Sequence, residues 1–92
     1  MIQFLKHGKD DNVAVAVVDA KKGEKGICLL MNTENKTEIK ALSDIPLGHK
    51  IALKDFKVGD TIMKYDSDIG KVVIAIKTGE HVHVHNVKTK KW

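Results

Sequence analysis

Three of the chain's five histidines lie in one short run, Gly79-Glu80-His81-Val82-His83-Val84-His85-Asn86. If this run is a β-strand, its three imidazoles share one face, and Val82 and Val84 point to the core. Imidazoles at positions i and i+2 can bind one metal ion. The outer pair would be roughly 13 Å apart at Cα, whereas metal–nitrogen bonds are about 2 Å long. At most two of the three are therefore expected to bind one ion. The alternative is a solvent-facing strand with no chemical role.

A second candidate is Gly48-His49-Lys50, which follows a predicted turn. A lysine ammonium can hold a carboxylate as a point charge, and histidine can transfer protons near neutral pH. The same tripeptide would also suit an ordinary surface turn. The chemical interpretation therefore depends on what lies next to it in the folded chain.

Weaker candidates lie in predicted turns. Asp11-Asn12 precedes the first predicted strand, with His7 four residues upstream of Asp11, and Tyr65-Asp66 and Asp68 lie in a later loop. Asp and Asn readily bond to their own backbone, so a turn explains these residues without any function. The sequence contains no Ser-His-Asp order, P-loop or paired cysteine motif.

Short strands must position these residues, because Val, Ile and Thr are frequent and no long apolar run has a helical period. The segment Asn32–Lys36 predicts a hairpin loop. The predicted strands are Val13–Val18, Ile27–Met31, Thr37–Leu42, Ile51–Leu53, Thr61–Lys64, Lys71–Ile76 and His81–Asn86.

One five-residue pattern recurs in the chain, with a glycine four residues after its first member. Its copies are Asp19-Ala20-Lys21-Lys22-Gly23, Asp44-Ile45-Pro46-Leu47-Gly48, Asp55-Phe56-Lys57-Val58-Gly59 and Ala75-Ile76-Lys77-Thr78-Gly79. We interpret it as a repeated corner, in which an apolar or small residue packs inward and the glycine adopts a backbone angle that other residues resist. Such corners suit a twisted, all-β structure.

Composition limits the functional classes. The chain has 92 residues, enough for one small domain spanning residues 1–92 but too few for a deep private active site. The formal charge is +4, yet all 16 basic residues are lysine and only 4% of residues are aromatic. Nucleic-acid readers usually use arginine forks and stacking aromatics, so the charge predicts a solvated surface. Lys88, Lys90 and Lys91 form only a short basic tail.

The single cysteine and the absence of apolar spans indicate the compartment. Cys28 lies in the apolar run Ile27–Met31, which predicts a buried, unreactive thiol. No run is long enough to span a membrane, and the opening residues are too short for a signal peptide. We expect a cytoplasmic protein that binds neither membrane nor nucleic acid.

Together these segments resemble the amino-terminal domain of the altronate and galactarate dehydratase family. GHKIAL and GEHVHVHN are specific in combination. The matching stretches are Asp11–Ala16, Asp44–Leu53, Lys64-Tyr65, Ile69-Gly70 and Gly79–Asn86. The resemblance implies an SAF-type domain with the β-clip fold, also seen in sialic acid synthases and type III antifreeze proteins. The chain departs from the family pattern at two places. Asp66 replaces the usual Gly after Tyr65, which bears on substrate identity, and the spacing from His7 to Asp11 is one residue longer.

The resemblance also implies an activity and a partner. Family members fuse this domain to a large catalytic domain or encode it as a separate small subunit, as in sulfolactate sulfo-lyases. The expected function is therefore that of a small subunit of a sugar-acid hydro-lyase, inactive without its large subunit. The expected cofactor is a divalent metal, Fe²⁺ or Mn²⁺. The implied roles are catalytic for His49 and Lys50, substrate-binding for Asp11, Asn12, His81 and Asn86, and metal-binding for His83 and His85.

Three alternatives stay open at this stage. A sulfolactate sulfo-lyase subunit fits the same motifs, and no residue decides between sulfite and hydroxide as the leaving group. A stand-alone metal- or ligand-binding module would use the histidines unaided, and could form a homo-oligomer. A sugar- or ice-binding β-clip protein should instead show a flat face of Thr, Asn and Ala, which the His-rich run argues against.

Overall fold

The computed structural model describes residues 2–65 and 67–89, which form nine β-strands and no α-helix. The predicted all-β class is confirmed, and the curled sheets are consistent with a β-clip. The strands are β1 (Ile2–Lys6), β2 (Val13–Ala16), β3 (Lys25–Leu30), β4 (Lys36–Lys40), β5 (Lys50–Ala52), β6 (Thr61–Lys64), β7 (Ser67–Val72), β8 (His81–Val82) and β9 (Val87–Thr89). No described segment is a helix long and apolar enough to cross a membrane.

The strands form two sheets. Six strands lie in the order β4-β3-β1-β2-β5-β8, and three in the order β6-β7-β9. β1 and β3 run parallel, while the other paired strands are antiparallel. The last link of the larger sheet pairs β5 with β8 and sets Ile51 opposite His81. This pairing brings the two motifs singled out in the sequence side by side.

β2 and the last two residues of β5 lie between two cores, which explains why these residues are all apolar. Val13 and Ala52 face one core cluster, whereas their neighbours Ala14 and Ile51 face the other. All four side chains are at most 1% exposed. Because alternate residues of a strand point to opposite faces, a strand between two cores needs apolar residues at every position. The strands nearest the candidate site are therefore the most firmly packed.

The repeated corner is confirmed at all four copies. The inward residues Ala20, Ile45, Phe56 and Ile76 are each no more than 3% exposed. The four glycines have positive φ angles, at Gly23 (93°), Gly48 (85°), Gly59 (94°) and Gly79 (90°).

The corners associate in pairs, since isolated bridges join Ala20 to Ile45 and Phe56 to Ile76. In the first pair, the carboxylate that begins each corner accepts from an amide of the other: Asp19 from Leu47 and Asp44 from Lys22, both at 2.8 Å. In the second pair only Asp55 does so, accepting from the Thr78 amide at 2.8 Å. These bonds satisfy backbone amides across each pair.

Several strand boundaries differ from the sequence prediction. β1 and β9 were not predicted, because Ile2–Lys6 and Val87–Thr89 are short and lack a strict apolar alternation. The predicted strand Lys71–Ile76 is shifted, since β7 ends at Val72. Beyond this point the amides of Val73 and Ile74 both donate to the Asn86 carbonyl, which turns the chain out of the sheet.

Candidate functional site

His49 is placed by the second corner. It follows Gly48, its amide donates to the Pro46 carbonyl at 2.9 Å, and its carbonyl accepts from the Ala16 amide at 2.8 Å. These backbone bonds hold the residue at the start of β5 without using its side chain. The imidazole is therefore available for other contacts.

A comparison of the four corners explains why a histidine can occupy this position. In the other three corners the equivalent residue is acidic and accepts from an amide three residues back: Glu24 from Lys21 at 2.7 Å, Asp60 from Lys57 at 2.8 Å and Glu80 from Lys77 at 2.6 Å. In the second corner the residue three before His49 is Pro46, whose backbone nitrogen has no N–H to donate. The proline removes the need for a carboxylate, so position 49 can carry an imidazole.

The His-rich run is not the strand that the sequence predicted. β8 ends at Val82, and a turn follows in which the amides of Asn86 and Val87 both donate to the His83 carbonyl at 3.1 Å. The Asn86 side chain closes this turn, since it accepts from the His83 amide at 3.0 Å and donates to the His81 carbonyl at 2.8 Å. The prediction that Val84 points to the core is wrong, because Val84 is 62% exposed, whereas Val82 is fully buried as expected.

The turn gathers imidazoles that an extended strand would keep apart. His85 folds back until its ring centroid is 5.1 Å from that of His81. His49, 32 residues away in the sequence from His81, places its Nδ1 at 2.8 Å from His81 Nε2. The His49 and His83 rings stack at 4.1 Å. A turn, rather than an extended strand, therefore sets the distances within the run. The expectation that at most two of its three imidazoles bind one ion stays a prediction.

One nitrogen from each of His49, His81 and His83 lies within 4.8 Å of the other two. Two nitrogens bound to one ion at about 2.1 Å are at most about 4.2 Å apart, so small side-chain rotations would bring this set into coordination. The grouping shares His83 with the predicted pair His83 and His85, and places His85 beside it. Metal binding by any of these residues stays a prediction.

Burial and repulsion between neighbours favour the neutral forms of His81 and His83. The pKa of His81 is lowered from 6.5 to about 4 by burial, then by the neighbouring His85, His49 and His83. The pKa of His83 is lowered by burial first, and then by His49, Lys50 and His85. A neutral imidazole keeps a lone pair on one ring nitrogen, which is the form that binds a metal ion or accepts a proton.

Lys50 lies next to this cluster and is buried, with 6% of its surface exposed. Its backbone pairs with Val15 on one side and Val82 on the other. Burial, followed by repulsion from Lys64, lowers the pKa of the Lys50 ammonium. The structure thus places the predicted catalytic pair, His49 and Lys50, at the imidazole cluster. Their catalytic role stays a prediction.

Asp11 and Asn12 contact the backbone of a distant segment. Asp11 Oδ2 accepts from the amides of Gly8 at 2.9 Å and Tyr65 at 3.0 Å. The Asn12 side chain donates to the Thr61 carbonyl at 3.0 Å and accepts from the Met63 amide at 2.8 Å. Both side chains therefore anchor the backbone at β6. The Asn86 side chain anchors the backbone of its own turn in the same way. The assignment of Asp11, Asn12, His81 and Asn86 to substrate binding stays a prediction.

Sequence reasoning missed the contact between His7 and Tyr65, whose rings stack at 4.2 Å. The two residues are far apart in the chain, and their only local signal is that each lies close to a turn. Asp66, where the chain departs from the family pattern, lies outside the described residues, as do Lys90, Lys91 and Trp92.

A cleft of about 290 Å³ adjoins the imidazole cluster, with Ile74 and Ala75 on one wall and His81, His85 and Asn86 on the other. A larger hollow of about 420 Å³ lies against β3 and β4 and includes Cys28. Burial raises the pKa of the Cys28 thiol, and the residue is 3% exposed. The expected buried thiol is confirmed. Of the candidate site residues, His81, His85 and Asn86 line the smaller cleft.

The sequence of the chain matches the family model described as the altronate/galactarate dehydratase SAF domain over residues 2–90. The chain belongs to this family. The match includes every candidate site residue, from Asp11 to Asn86.

Individual SAF family relatives are of two kinds. The chain is 44% identical over 92 residues to the (2R)-sulfolactate sulfo-lyase subunit alpha of Chromohalobacter salexigens, covering 99% of this chain and 98% of the relative. It is 48% identical over 66 residues to the subunit alpha of Paracoccus pantotrophus, covering 72% of this chain and 98% of the relative. It is 44% identical over 89 residues to the altronate dehydratase of Bacillus subtilis, covering 97% of this chain but 17% of that enzyme. These relatives support a lyase-related role.

Proposed function

We propose that this chain is the small subunit of a sulfolactate-type sulfo-lyase and acts with a separate large subunit. The observation that supports this choice is the extent of the likeness: it runs over 98% of both sulfo-lyase alpha subunits, but over 17% of the altronate dehydratase of B. subtilis. Sulfite elimination, which the sequence left as an alternative, thus becomes the first candidate reaction. Dehydration of altronate or galactarate is the second, favoured by the family model.

The reaction would be a β-elimination from a 2-hydroxy acid. A base removes the proton from the carbon that carries the hydroxyl and carboxylate groups. The electron pair of that C–H bond forms a double bond to the neighbouring carbon, whose bond to sulfur breaks. The sulfur leaves with that bond's electron pair as sulfite, and the resulting enol becomes a 2-keto acid. Negative charge accumulates on the carboxylate oxygens, so positive charge close to them lowers the barrier.

The imidazole cluster suits this need. His49, His81 and His83 bring three nitrogens within 4.8 Å, and burial favours the neutral forms of His81 and His83. Such a set fits a divalent ion, and imidazole ligands suit Fe²⁺ better than Mn²⁺, which prefers oxygen ligands. A bound ion would supply Lewis-acid stabilisation to the carboxylate side of the substrate. The ammonium of Lys50 would add positive charge from the floor of the same site.

The cluster lies at a surface rather than inside a closed pocket, which is why we propose a partner. His85 is exposed, and Val84 at the tip of the turn is 62% exposed. Excluding water from a site strengthens the electrostatic interactions that stabilise the transition state of proton removal. The large subunit would cover this face and supply the remaining groups, including a base if Lys50 does not serve as one. The chain alone would then be inactive.

The test is reconstitution with the cognate large subunit, with sulfolactate, altronate and galactarate as substrates. His49→Ala and His83→Ala should each lower turnover more than tenfold, which corresponds to the loss of more than about 1.4 kcal/mol of transition-state stabilisation. Both should also lower the bound metal measured by elemental analysis. His85→Ala distinguishes between two possible ligand sets, the group His49, His81 and His83 and the pair His83 and His85. The variant should keep the metal if the first set binds it and lose metal if the pair does.

Lys57→Gln, on an exposed corner, serves as the control and should leave both readouts unchanged. Normal turnover and metal content in the His49 and His83 variants would show that the cluster is structural. Metal binding by the wild-type chain, without any lyase activity on adding the large subunit, would favour a stand-alone binding module.

A further inference from the structure

The end of β6 has an unusual backbone conformation. Tyr65 has a φ angle of 52°, one of two positive values at non-glycine residues in the described chain, the other being Asn32. An aromatic residue in this region is strained by about 1–3 kcal/mol and persists only where other contacts hold it. Its amide donates to Asp11 Oδ2 at 3.0 Å, and Asp11 is 4% exposed. A buried carboxylate therefore stabilises the strained residue.

The same carboxylate oxygen also accepts from the Gly8 amide at 2.9 Å, next to His7. One atom of Asp11 thus fixes two segments of backbone that are distant in sequence, and with them two side chains. The His7 and Tyr65 rings stack with centroids 4.2 Å apart and an interplanar angle of 24°. Lys64 places its Nζ 5.1 Å from the centroid of the Tyr65 ring. The result is a preorganised group of an imidazole, a phenol and an ammonium.

Asn12 links this group to the strands that carry the imidazole cluster. Its side chain joins the start of β2 to β6 through the Thr61 carbonyl and the Met63 amide, which keeps Lys64 at this position. β2 pairs in turn with β5, whose first residue is Lys50. Burial, and then repulsion from Lys64, lowers the pKa of His7. An anion bound between Lys64 and the His7 ring would relieve this repulsion.

The half-buried Lys64 and the 59% exposed Tyr65 present hydrogen-bond donors to solvent. An ammonium, a phenol and an imidazole suit the oxygens of a carboxylate or a sulfonate. We propose that Lys64, Tyr65 and His7 form a second anion subsite, which holds the remote anionic group of a substrate charged at both ends.

This inference rests on the proposed function, because it assigns the first anion, the reacting carboxylate, to the imidazole cluster and Lys50. It deepens that function by naming the substrate class: a 2-hydroxy acid with a second carboxylate or a sulfonate. Sulfolactate and galactarate carry that second group, whereas altronate does not. In a sulfo-lyase, Lys64 would also stabilise the charge that accumulates on the departing sulfite.

The first test is kinetic and uses the assembled complex. Lys64→Gln should raise the KM for sulfolactate or galactarate about tenfold, as expected for the loss of a charge-assisted contact. Lys64→Arg should retain most of the affinity, and the exposed Lys57→Gln should match the wild type. The KM for altronate, which has one anionic group, should be unaffected by Lys64→Gln. An equal rise for altronate, or no rise for either dianion, would overturn the subsite.

The second test needs no turnover. The full chain is titrated with methanesulfonate while the amide resonances of Tyr65 and Gly8 are followed by NMR. Saturable shifts should occur in the wild type and be lost in Lys64→Gln, whose remaining spectrum also reports that the variant is folded. Equal shifts in both proteins, or none in the wild type, would overturn the subsite. A complex that loses turnover with His49→Ala but keeps its KM with Lys64→Gln would overturn the subsite alone. A complex inactive on every acid would overturn the proposed lyase, and the titration would still decide the subsite.

Discussion

At the scale of single residues, the chemistry proposed for this protein depends on how four imidazoles share one small volume. His81 contacts His49, His83 and His85, at ring-centroid distances between 5.0 and 5.6 Å. Two positive charges at such distances repel strongly wherever water is partly excluded, so protonation of one ring disfavours protonation of the next. His81 and His83 are therefore held largely neutral at physiological pH, as metal ligands and proton acceptors require.

This predicts a pH-dependent stability. The pKa of His81 is about 4 in the folded chain against an ordinary value of 6.5, so between these values only the unfolded chain binds a proton there. The free energy of unfolding should fall as the pH is lowered through this window, because protons stabilise the unfolded state. We expect a loss of about 1–2 kcal/mol, since solvent screens a partly exposed ring.

Urea denaturation in a chelating buffer between pH 7 and 4 measures this effect, and His81→Gln should flatten it. The carboxylate of Asp55 provides a separate reference. Hydrogen bonds from Thr78 lower the pKa of Asp55 below 3.8, so its contribution is lost only at still lower pH. A His81→Gln variant with the same pH profile as the wild type would contradict the assignment to His81.

At the scale of elements, the four corners aim the strands that carry the site. Gly79 turns the chain directly into Glu80 and β8, and thus sets the position of His81. Gly79 is tightly packed, whereas Gly23 is not. A Cβ on Gly79 would collide with the Lys40 carbonyl oxygen and press on Leu42, but a Cβ on Gly23 would meet nothing within 4 Å. The two glycines have φ angles of 90° and 93°, so they share the same backbone requirement.

Gly79→Ala and Gly23→Ala therefore form a matched pair. Both should lose about 1–2 kcal/mol of unfolding free energy, since alanine resists a positive φ angle. Gly79→Ala should lose at least about 1–2 kcal/mol more through the collision, and it should weaken metal binding by displacing His81. Thermal or urea denaturation of the two variants measures the difference. Equal losses of unfolding free energy would mean that the backbone at Gly79 shifts to accommodate the alanine without strain.

At the scale of the whole molecule, one short segment joins a packed core to an open face. Val82 is fully buried in a core cluster with Val13 and Phe56, while Val84, two residues later, is 62% exposed on the turn that carries His83 and His85. Exposed apolar residues beside a functional cleft often mark a surface that a partner covers. The proposed large subunit would use this face.

Val82→Ala and Val84→Ala should therefore differ in kind. Val82→Ala should lower the free energy of unfolding by about 2 kcal/mol, because the truncation leaves a cavity. Val84→Ala should change stability by less than about 0.5 kcal/mol. A charged replacement, Val84→Asp, should leave the isolated chain folded but weaken its association with the large subunit in gel filtration. Normal assembly of Val84→Asp would place the interface elsewhere.

The sequence by itself determined the features that depend on local chemistry. Positive φ at Gly23, Gly48, Gly59 and Gly79, and burial of the apolar residue in each corner, follow from residue types at fixed spacing. The all-β class follows from the same turns and β-branched runs. The sequence also contained an unused signal: Pro46 stands where the other corners have an amide that needs a carboxylate, which marks His49 as released from that structural role.

Only the tertiary structure decided how the site is assembled. The apolar–polar alternation of residues 81–86 predicts a strand, yet the chain turns after Val82. Asn86 holds this turn: its side chain bonds to the backbone of His81 and His83, and its carbonyl accepts from the amides of Val73 and Ile74. The meeting of His49 with His81 depends on the pairing of β5 with β8, and the stacking of His7 on Tyr65 depends on Asp11. These contacts join residues far apart in the chain, and their energies outweigh the weak local preference of a short segment for an extended backbone.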